Sequence, residues 1–485
     1  MKKLSAAILS LLLLFCIVGC RDFPVNPEEE ESPSLARTNY RIEAELSPKE
    51  HLLKVRTEID YASPADDLSA IKLRLYANAY REGCTLVTSD KLSAVYPAGE
   101  PSYGSAEVHE VTCDLPITAS DLGQQDSILT LRLGRQLKRG ELLHLCITET
   151  VILANARHRL GYDNGYFFLS NFYPEVCPFE NGKYLTYEHT PYGDPFRYEL
   201  ADFSLALTLP AGYECACSSI EDRRERQGTF VTYHHTLKGA RDIAVVASEH
   251  LRYTSDSSGK IPIRYYTSNA SDSRKILDLV KEAIALYEDL FGSYPYPSYT
   301  IVSAPFFEAG VEHSGMGVVS NGLPSYARKK AILHETAHQW WFGKVGNDEY
   351  RHPWLDEGLT EYTVAYYYKQ KGAEDVYREL IGEAEDSFSI RLALTGSEGT
   401  RFDLPLPDLN EGYYDRVYCG GLLLFSSLAE IVGFDDFHEA LRAFAEEYAD
   451  KIATPKNLTD VLSRVLKKDY APFFRSWVSA AVPVQ

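Results

Sequence analysis

His334-Glu335-Thr336-Ala337-His338 places two imidazoles and a carboxylate in a stretch, about Ala327 to Phe342, whose spacing predicts a helix. Residues four apart on a helix stand one above the other, so His334 and His338 can reach one ion. Glu335 can serve as a general base toward water without being a ligand. Two neutral imidazoles and one carboxylate suit zinc, with a fourth position left open. Glu357 is the expected third ligand. It follows His338 after eighteen residues, room for a helix end, a loop through Gly346-Asn347-Asp348 and a second helix beginning near Asp356, after Pro353. Glu361 lies one turn further on that face, either as an acceptor for a ligand imidazole N–H or as an ordinary packing or solvated residue. H-E-x-x-H also arises by chance in helices. The downstream Glu and the α/β section before the pentad favour a metal site.

The elements that must position these residues change character near residue 252. Residues 38–252 read as an all-β domain of packed antiparallel sheets. Leu53, Val55, Thr57, Ile59 and Tyr61 alternate with polar residues, and Ile128 to Leu133, Leu142 to Ile152, Phe203 to Leu209 and Asp242 to Ala247 are further β-rich runs. Residues 253–485 read as an α/β catalytic domain that becomes all-helical. Strands are expected at Ile261 to Tyr266 and Tyr299 to Ser303, and a helix through Ile276 and Leu286 that stops before Gly292. Helical spacing then runs over Glu374 to Ser389, Tyr414 to Val432, Phe434 to Tyr448 and Leu458 to Val465.

The 485 residues suggest roughly two to four domains. With 45% hydrophobic and 24% charged residues, disordered and fibrous classes are excluded. A net charge of −20 argues against a nucleic-acid partner, whose phosphates demand Lys and Arg. Lys2, Lys3 and the apolar run Leu4 to Val18 read as an export signal. Ile17-Val18-Gly19-Cys20 resembles the bacterial lipobox. The expectation is a signal peptide at 1–19, a lipid on Cys20, an acidic tether at 20–37, and anchoring to a bacterial membrane on its non-cytoplasmic side. An ordinary secretory signal and an uncleaved anchor are the alternatives. Seven cysteines remain after Cys16 and Cys20, and their pairing is not readable from sequence. Cys215-Ala216-Cys217 reads as alternation on a strand rather than half a metal site.

The run from His334 to Gly343, with Gln339-Trp340-Trp341-Phe342, followed by Trp354-Leu355-Asp356-Glu357-Gly358, resembles the aminopeptidase N-type zinc metallopeptidases. These are gluzincins with a thermolysin-like catalytic domain. The resemblance implies one zinc held by His334, His338 and Glu357, with Glu335 as the catalytic base. It implies a saddle-like β domain before the catalytic one, and peptide substrates. Ala309-Gly310-Val311-Glu312-His313 stands where the family carries Gly-Ala-Met-Glu-Asn, which would put Glu312 on the substrate α-amino group. An edge-strand carboxylate is the plain alternative for Glu312. Val417-Tyr418-Cys419-Gly420-Gly421 stands where the family has its oxyanion-stabilising Tyr, with Gly420 in place of Lys and with Tyr413 and Tyr414 as rivals. Asn171, in Leu169 to Pro174, is the candidate substitute for a Thr-Gln element that helps hold the amine. Phe473 to Trp477 resembles the close of the helical part, and the sequence stops at Gln485, so a more open site than in longer members is expected.

The resulting expectation is an aminopeptidase that uses metal-activated water. An endopeptidase or another hydrolase on the same site is one rival. A catalytically idle peptide-binding lipoprotein, from another functional class, is the second.

Overall fold

The computed structural model describes residues 35–409 and 412–478. The expected signal peptide, Cys20 and most of the expected tether lie outside the described residues.

Alternation of apolar and polar residues builds the first half. Strand Leu52–Ala62 buries Leu53, Val55, Thr57, Ile59 and Tyr61 while the residues between them face outward. A seven-stranded sheet runs, edge to edge, Arg223–Gln227, Phe230–Ala240, Ala201–Pro210, Thr38–Ser47, Leu52–Ala62, Leu142–Ile152 and Ser105–Cys113. Against it stands a four-stranded sheet built on Leu68–Arg74 and Ile128–Leu137. A second four-stranded sheet runs Glu214–Cys217, Val245–Ser248, Tyr166–Leu169 and Leu160–Asp163. The expected purely antiparallel arrangement fails at one place. Thr38–Ser47 pairs in parallel with Ala201–Pro210, from Thr38 opposite Ala201 to Glu45 opposite Thr208. Parallel neighbours need a long crossover, and the intervening strands of this and the other sheets supply it.

A five-stranded sheet opens the second half, ordered Arg252–Asp256, Ile263–Thr267, Tyr299–Ala304, Met316–Ser320 and Gly310–His313. Helix Ser273–Phe291 buries Ile276, Leu277, Val280, Ala283, Ile284 and Tyr287 beside it and ends at Gly292. Helices Ser325–Ala337, Trp354–Gln370, Glu374–Thr395, Gly420–Val432, Phe434–Glu447, Pro455–Val465 and Ala471–Val478 follow. Among the described residues no helix is long and apolar enough to cross a membrane.

Helix boundaries differ from expectation in several places. The His-bearing helix ends at Ala337 rather than near Phe342. The chain then folds into tight turns in which the Gly343 N–H donates to the His338 carbonyl and Phe342 takes φ 140°. This break lets two bulky indoles bury in different directions. Trp340 donates to the Gly292 carbonyl at 2.8 Å, and Trp341 to Thr363 Oγ1 at 3.0 Å. The segment Tyr414 to Val432 is likewise not one uniform helix. Tyr414–Cys419 forms a π-helical turn before the α-helix begins at Gly420. Cys215 and Cys217 lie on one strand with both side chains in the core, and the seven cysteines of the described residues are all unpaired.

Buried polar groups tie the halves together. The Arg241 guanidinium donates to the carbonyls of Tyr198, Phe342, Gly343 and Lys451 at 3.0, 2.6, 3.2 and 3.0 Å. Glu149 has no such compensation. It is buried between Val55 and Val108 on neighbouring strands, and its Oε2 is unpartnered. Burial raises its carboxyl from 4.5 to about 8. The folded chain therefore keeps a proton that the unfolded chain has released, and stability from this site falls as pH rises from 4.5 toward 8. Glu149→Met is expected to raise the melting temperature more at pH 8.5 than at pH 5, by roughly 2–8 °C. Equal gains at the two pH values, read by scanning calorimetry, would remove the ionisation argument.

Candidate metal centre

Helix periodicity stacks His334 and His338, and the fold turns both toward the helix that begins at Trp354. That helix starts directly after Pro353, two residues earlier than expected, because a proline without N–H is well placed at a helix entrance. Glu357 in its first turn then faces the imidazole pair. His334 Nε2 and His338 Nε2 stand 3.0 Å apart, and Glu357 Oε2 lies 3.2 and 3.4 Å from them. Three atoms bound to one tetrahedral ion at about 2.0–2.1 Å would stand about 3.3 Å apart. Glu357 Oε2 is buried with no hydrogen-bond partner. The spacing, the orphaned oxygen and the two-imidazole, one-carboxylate donor set all fit a single zinc ion.

Each ligand is oriented from behind. His334 Nδ1 donates to Glu361 Oε1 at 2.9 Å, and Glu361 also pairs with Lys330 at 3.0 Å. His338 Nδ1 donates to the Trp341 carbonyl at 2.9 Å. The helix break after Ala337 leaves that carbonyl free for this use. Of the two readings open for Glu361 in the sequence, the structure gives the hydrogen bond to a ligand ring.

Charges in this dry interior rearrange strongly. Burial pushes the Glu357 carboxyl up, but His338 and His334 outweigh it and hold it well below the usual carboxylate range. Burial would likewise lower His334, yet bonds to Glu357 and Glu361 raise it to about 9. The acidic surroundings thus favour positive charge at the imidazole pair, the charge that a bound divalent ion would supply. Burial raises Glu335 to about 7, partly offset by both imidazoles. Its Oε2 has no partner. Gly310 makes room for this carboxylate, because a Cβ there would stand 2.2 Å from Glu335 Oε1.

Glu312 sits on the edge strand Gly310–His313, opposite Gly317, and is buried. Its carboxylate lies within 4.8 Å of the Glu335 carboxylate and a ring nitrogen of His338. Gln339 fixes this strand to the His-bearing segment. Its amide donates to the His313 carbonyl at 3.0 Å and accepts from the Gly315 N–H at 2.9 Å. On the other side, His313 is held by Asp242 at 2.6 Å and by Ser170 Oγ at 3.0 Å. This Ser–His–Asp chain is sealed, with Ser170 only 4% exposed, so it fastens the strand to the β half and offers no nucleophile.

Tyr418 donates from its hydroxyl to Glu357 Oε1 at 2.5 Å and stacks near His334. Burial and the neighbouring Glu357 raise its pKa well above the usual phenol value, so it stays a donor. Tyr414 is 56% exposed and stacks on the outer face of Tyr418. Tyr413 packs edge-on to Tyr418 inside the cleft. Asn171 is anchored within the β half. Its amide donates to Glu175 and to the Tyr198 hydroxyl, at 3.0 and 2.8 Å. Asp194 and Glu349 stand beside Glu312 instead, with carboxylate oxygens within 4.8 Å of one another. Neither belongs to a periodic element, so only the tertiary fold reveals them.

Residues 276–477 match the peptidase family M1 domain. Aminopeptidase N of Lactobacillus helveticus is 25% identical over 305 residues, which are 57% of this chain and 35% of that protein. Aminopeptidase M1-A of Oryza sativa subsp. japonica is 24% identical over 233 residues, 44% of this chain and 26% of that protein. The match thus spans about a quarter to a third of the length of these curated relatives. Among solved structures, an M1 zinc metallopeptidase from Deinococcus radiodurans superposes with a TM-score of 0.61 at 17% identity, covering 93% of this chain and 96% of that one. A variant of that enzyme bound to a Tyr-Ser-Ala substrate gives 0.63 at 17% identity, over 93% and 96%. The architecture, a β-rich half followed by an α/β and helical half, is shared with these two-domain structures. Residues 276–477 thus carry a match to the peptidase family M1 domain, in line with the resemblance of the zinc-site residues to the aminopeptidase N-type gluzincins.

Proposed function

We propose that this chain is a zinc-dependent aminopeptidase that releases N-terminal residues from peptides. The observation that carries the reading is the Glu335 carboxylate, its Oε2 buried without a partner, within 4.8 Å of Glu312 and of His338, one of the three converging residues His334, His338 and Glu357. The aminopeptidase names of the relatives and the substrate-bound structural neighbour support it.

A zinc ion held by His334, His338 and Glu357 supplies Lewis acidity toward a carbonyl oxygen and a water. Glu335 accepts the proton of the attacking water and returns it to the leaving amine. Tyr418 turns its hydroxyl from Glu357 toward the developing oxyanion. Glu312 accepts from the substrate α-ammonium, which fixes the first peptide bond at the point of attack. The lipobox at Ile17 to Cys20 supports an exported lipoprotein anchored to a bacterial membrane on its non-cytoplasmic side.

Free and N-acetylated aminoacyl-anilides, tested with and without a chelator, check the reaction. Chelator-sensitive cleavage of the free-amine set alone is expected, and cleavage of the acetylated set would mark an endopeptidase or other hydrolase. Glu335→Gln is expected to keep one zinc per chain while kcat falls by about 10²–10⁴. Tyr418→Phe is expected to lower kcat by about 10²–10³ with little change in KM. Full kcat in either variant would remove that residue from the mechanism. Cys20→Ser is expected to move the protein from the membrane to the soluble fraction of a bacterial host, and unchanged fractionation would refute the anchor.

A further inference from the structure

We propose that Lys330 is a positioning residue of the metal site, which draws charge from the Glu361 carboxylate and so keeps the His334 imidazole from becoming too strong a ligand. The proposal rests on the reading of His334, His338 and Glu357 as zinc ligands.

The two ligand rings are backed by different acceptors. His338 Nδ1 donates to a neutral backbone carbonyl, that of Trp341, at 2.9 Å. His334 Nδ1 donates to a carboxylate, Glu361 Oε1, at 2.9 Å. An anionic acceptor pulls harder on the ring proton than a neutral one, and a ring so held is the more basic metal ligand. Glu361 has a second partner that moderates this pull. Lys330 Nζ lies 3.0 Å from its other oxygen, Oε2. Helical spacing brings the four groups together. Lys330 stands four residues before His334 on one helix, and Glu361 four residues after Glu357 on the next, so a Lys–Glu pair is stacked directly behind the His–Glu pair.

The ion pair is well placed to act on the ring. The Glu361 side chain is 8% exposed and that of Lys330 24%, so little water screens their charges. The adjacent cations are occupied elsewhere. Lys329 lies over the rings of Tyr367 and Tyr368, and Arg328 pairs with Asp272. Tyr414 and Cys419 adjoin the pair and are uncharged near neutral pH. Lys330 therefore sets how much of the Glu361 charge reaches His334. Removing it would leave that charge with His334 alone, which strengthens the ring as a donor and weakens the ion it binds as a Lewis acid. The sign separates this role from a structural one. A lysine that only held Glu361 in place would, when removed, loosen the ring and weaken the metal site.

Zinc affinity, measured on the full chain by competition with a chelator, tests this without requiring turnover. The wild type is expected to bind one zinc per chain. Lys330→Met is expected to bind it about tenfold more tightly, and Lys330→Arg, which keeps the charge, to match the wild type. In Lys330→Met, kcat on a free aminoacyl-anilide is expected to fall about tenfold with little change in KM. Glu361→Gln is expected to bind zinc about tenfold more weakly, and adding Lys330→Met to it is expected to give no gain. If the melting curve shows that Lys330→Met fails to fold, Lys330→Gln takes its place, since it removes the charge and keeps a donor. Equal or weaker zinc binding in the folded, uncharged variant overturns the proposal, as does an undiminished gain in the Glu361→Gln background. A wild type that binds no zinc overturns the ligand reading and the proposal with it. If one zinc binds but the variants do not tighten it, the proposal fails and the ligand reading stands. If the variants tighten it while no peptide is cleaved, the aminopeptidase reading fails and the role of Lys330 stands.

Discussion

Two imidazole nitrogens and one carboxylate oxygen are held 3.0–3.4 Å apart in the buried interior. Such an arrangement is unfavourable in an empty protein interior, where the desolvation of charged groups costs several kcal/mol. It persists because the surroundings leave each group no alternative direction. Glu361 and the Trp341 carbonyl take the outer nitrogens, and the buried indoles of Trp340, Trp341 and Trp354 fix the backbone that carries them. The fold around the site can be understood as the packing needed to maintain this convergence.

The charge balance extends beyond the three ligands. Lys330 neutralises Glu361, and Arg159 neutralises Asp194, while Glu335, Glu312 and Glu349 face the pocket with little compensation. The pocket is therefore acidic around a point suited to a dication.

His334 with His338, and Glu357 with Glu361, could be paired in the sequence because helical spacing dictates which residues share a face, and the eighteen residues between the pairs leave room for a helix–loop–helix return. The β half was legible for the same kind of reason, since a buried strand such as Leu52–Ala62 must alternate. Features set by long-range contacts were not. The parallel pairing of Thr38–Ser47 depends on a strand that begins at Ala201. The helix stops at Ala337 because two tryptophans further on require different pockets. The π-helical turn at Tyr414–Cys419 leaves no mark in the apolar pattern. Asn171 is adjacent in sequence to the serine that holds His313, yet its amide turns to Glu175 and Tyr198. Asp194 and Glu349, in non-periodic segments, reach the site only through the fold.

The Arg241 guanidinium has a bearing on how the molecule is made. On a ribosome the β half emerges first, with Arg241 and only one of its four carbonyl partners, that of Tyr198. The Phe342 and Gly343 carbonyls follow about a hundred residues later, and Lys451 more than two hundred later. Until then a cation destined for the interior must remain hydrated, and the surface around it stays open. The β half can form its sheets during synthesis, but its junction closes only when nearly the whole chain has been delivered. A nascent chain stalled before Lys451 would keep that junction exposed, which makes this region a natural place for a chaperone or protease to distinguish finished from unfinished molecules.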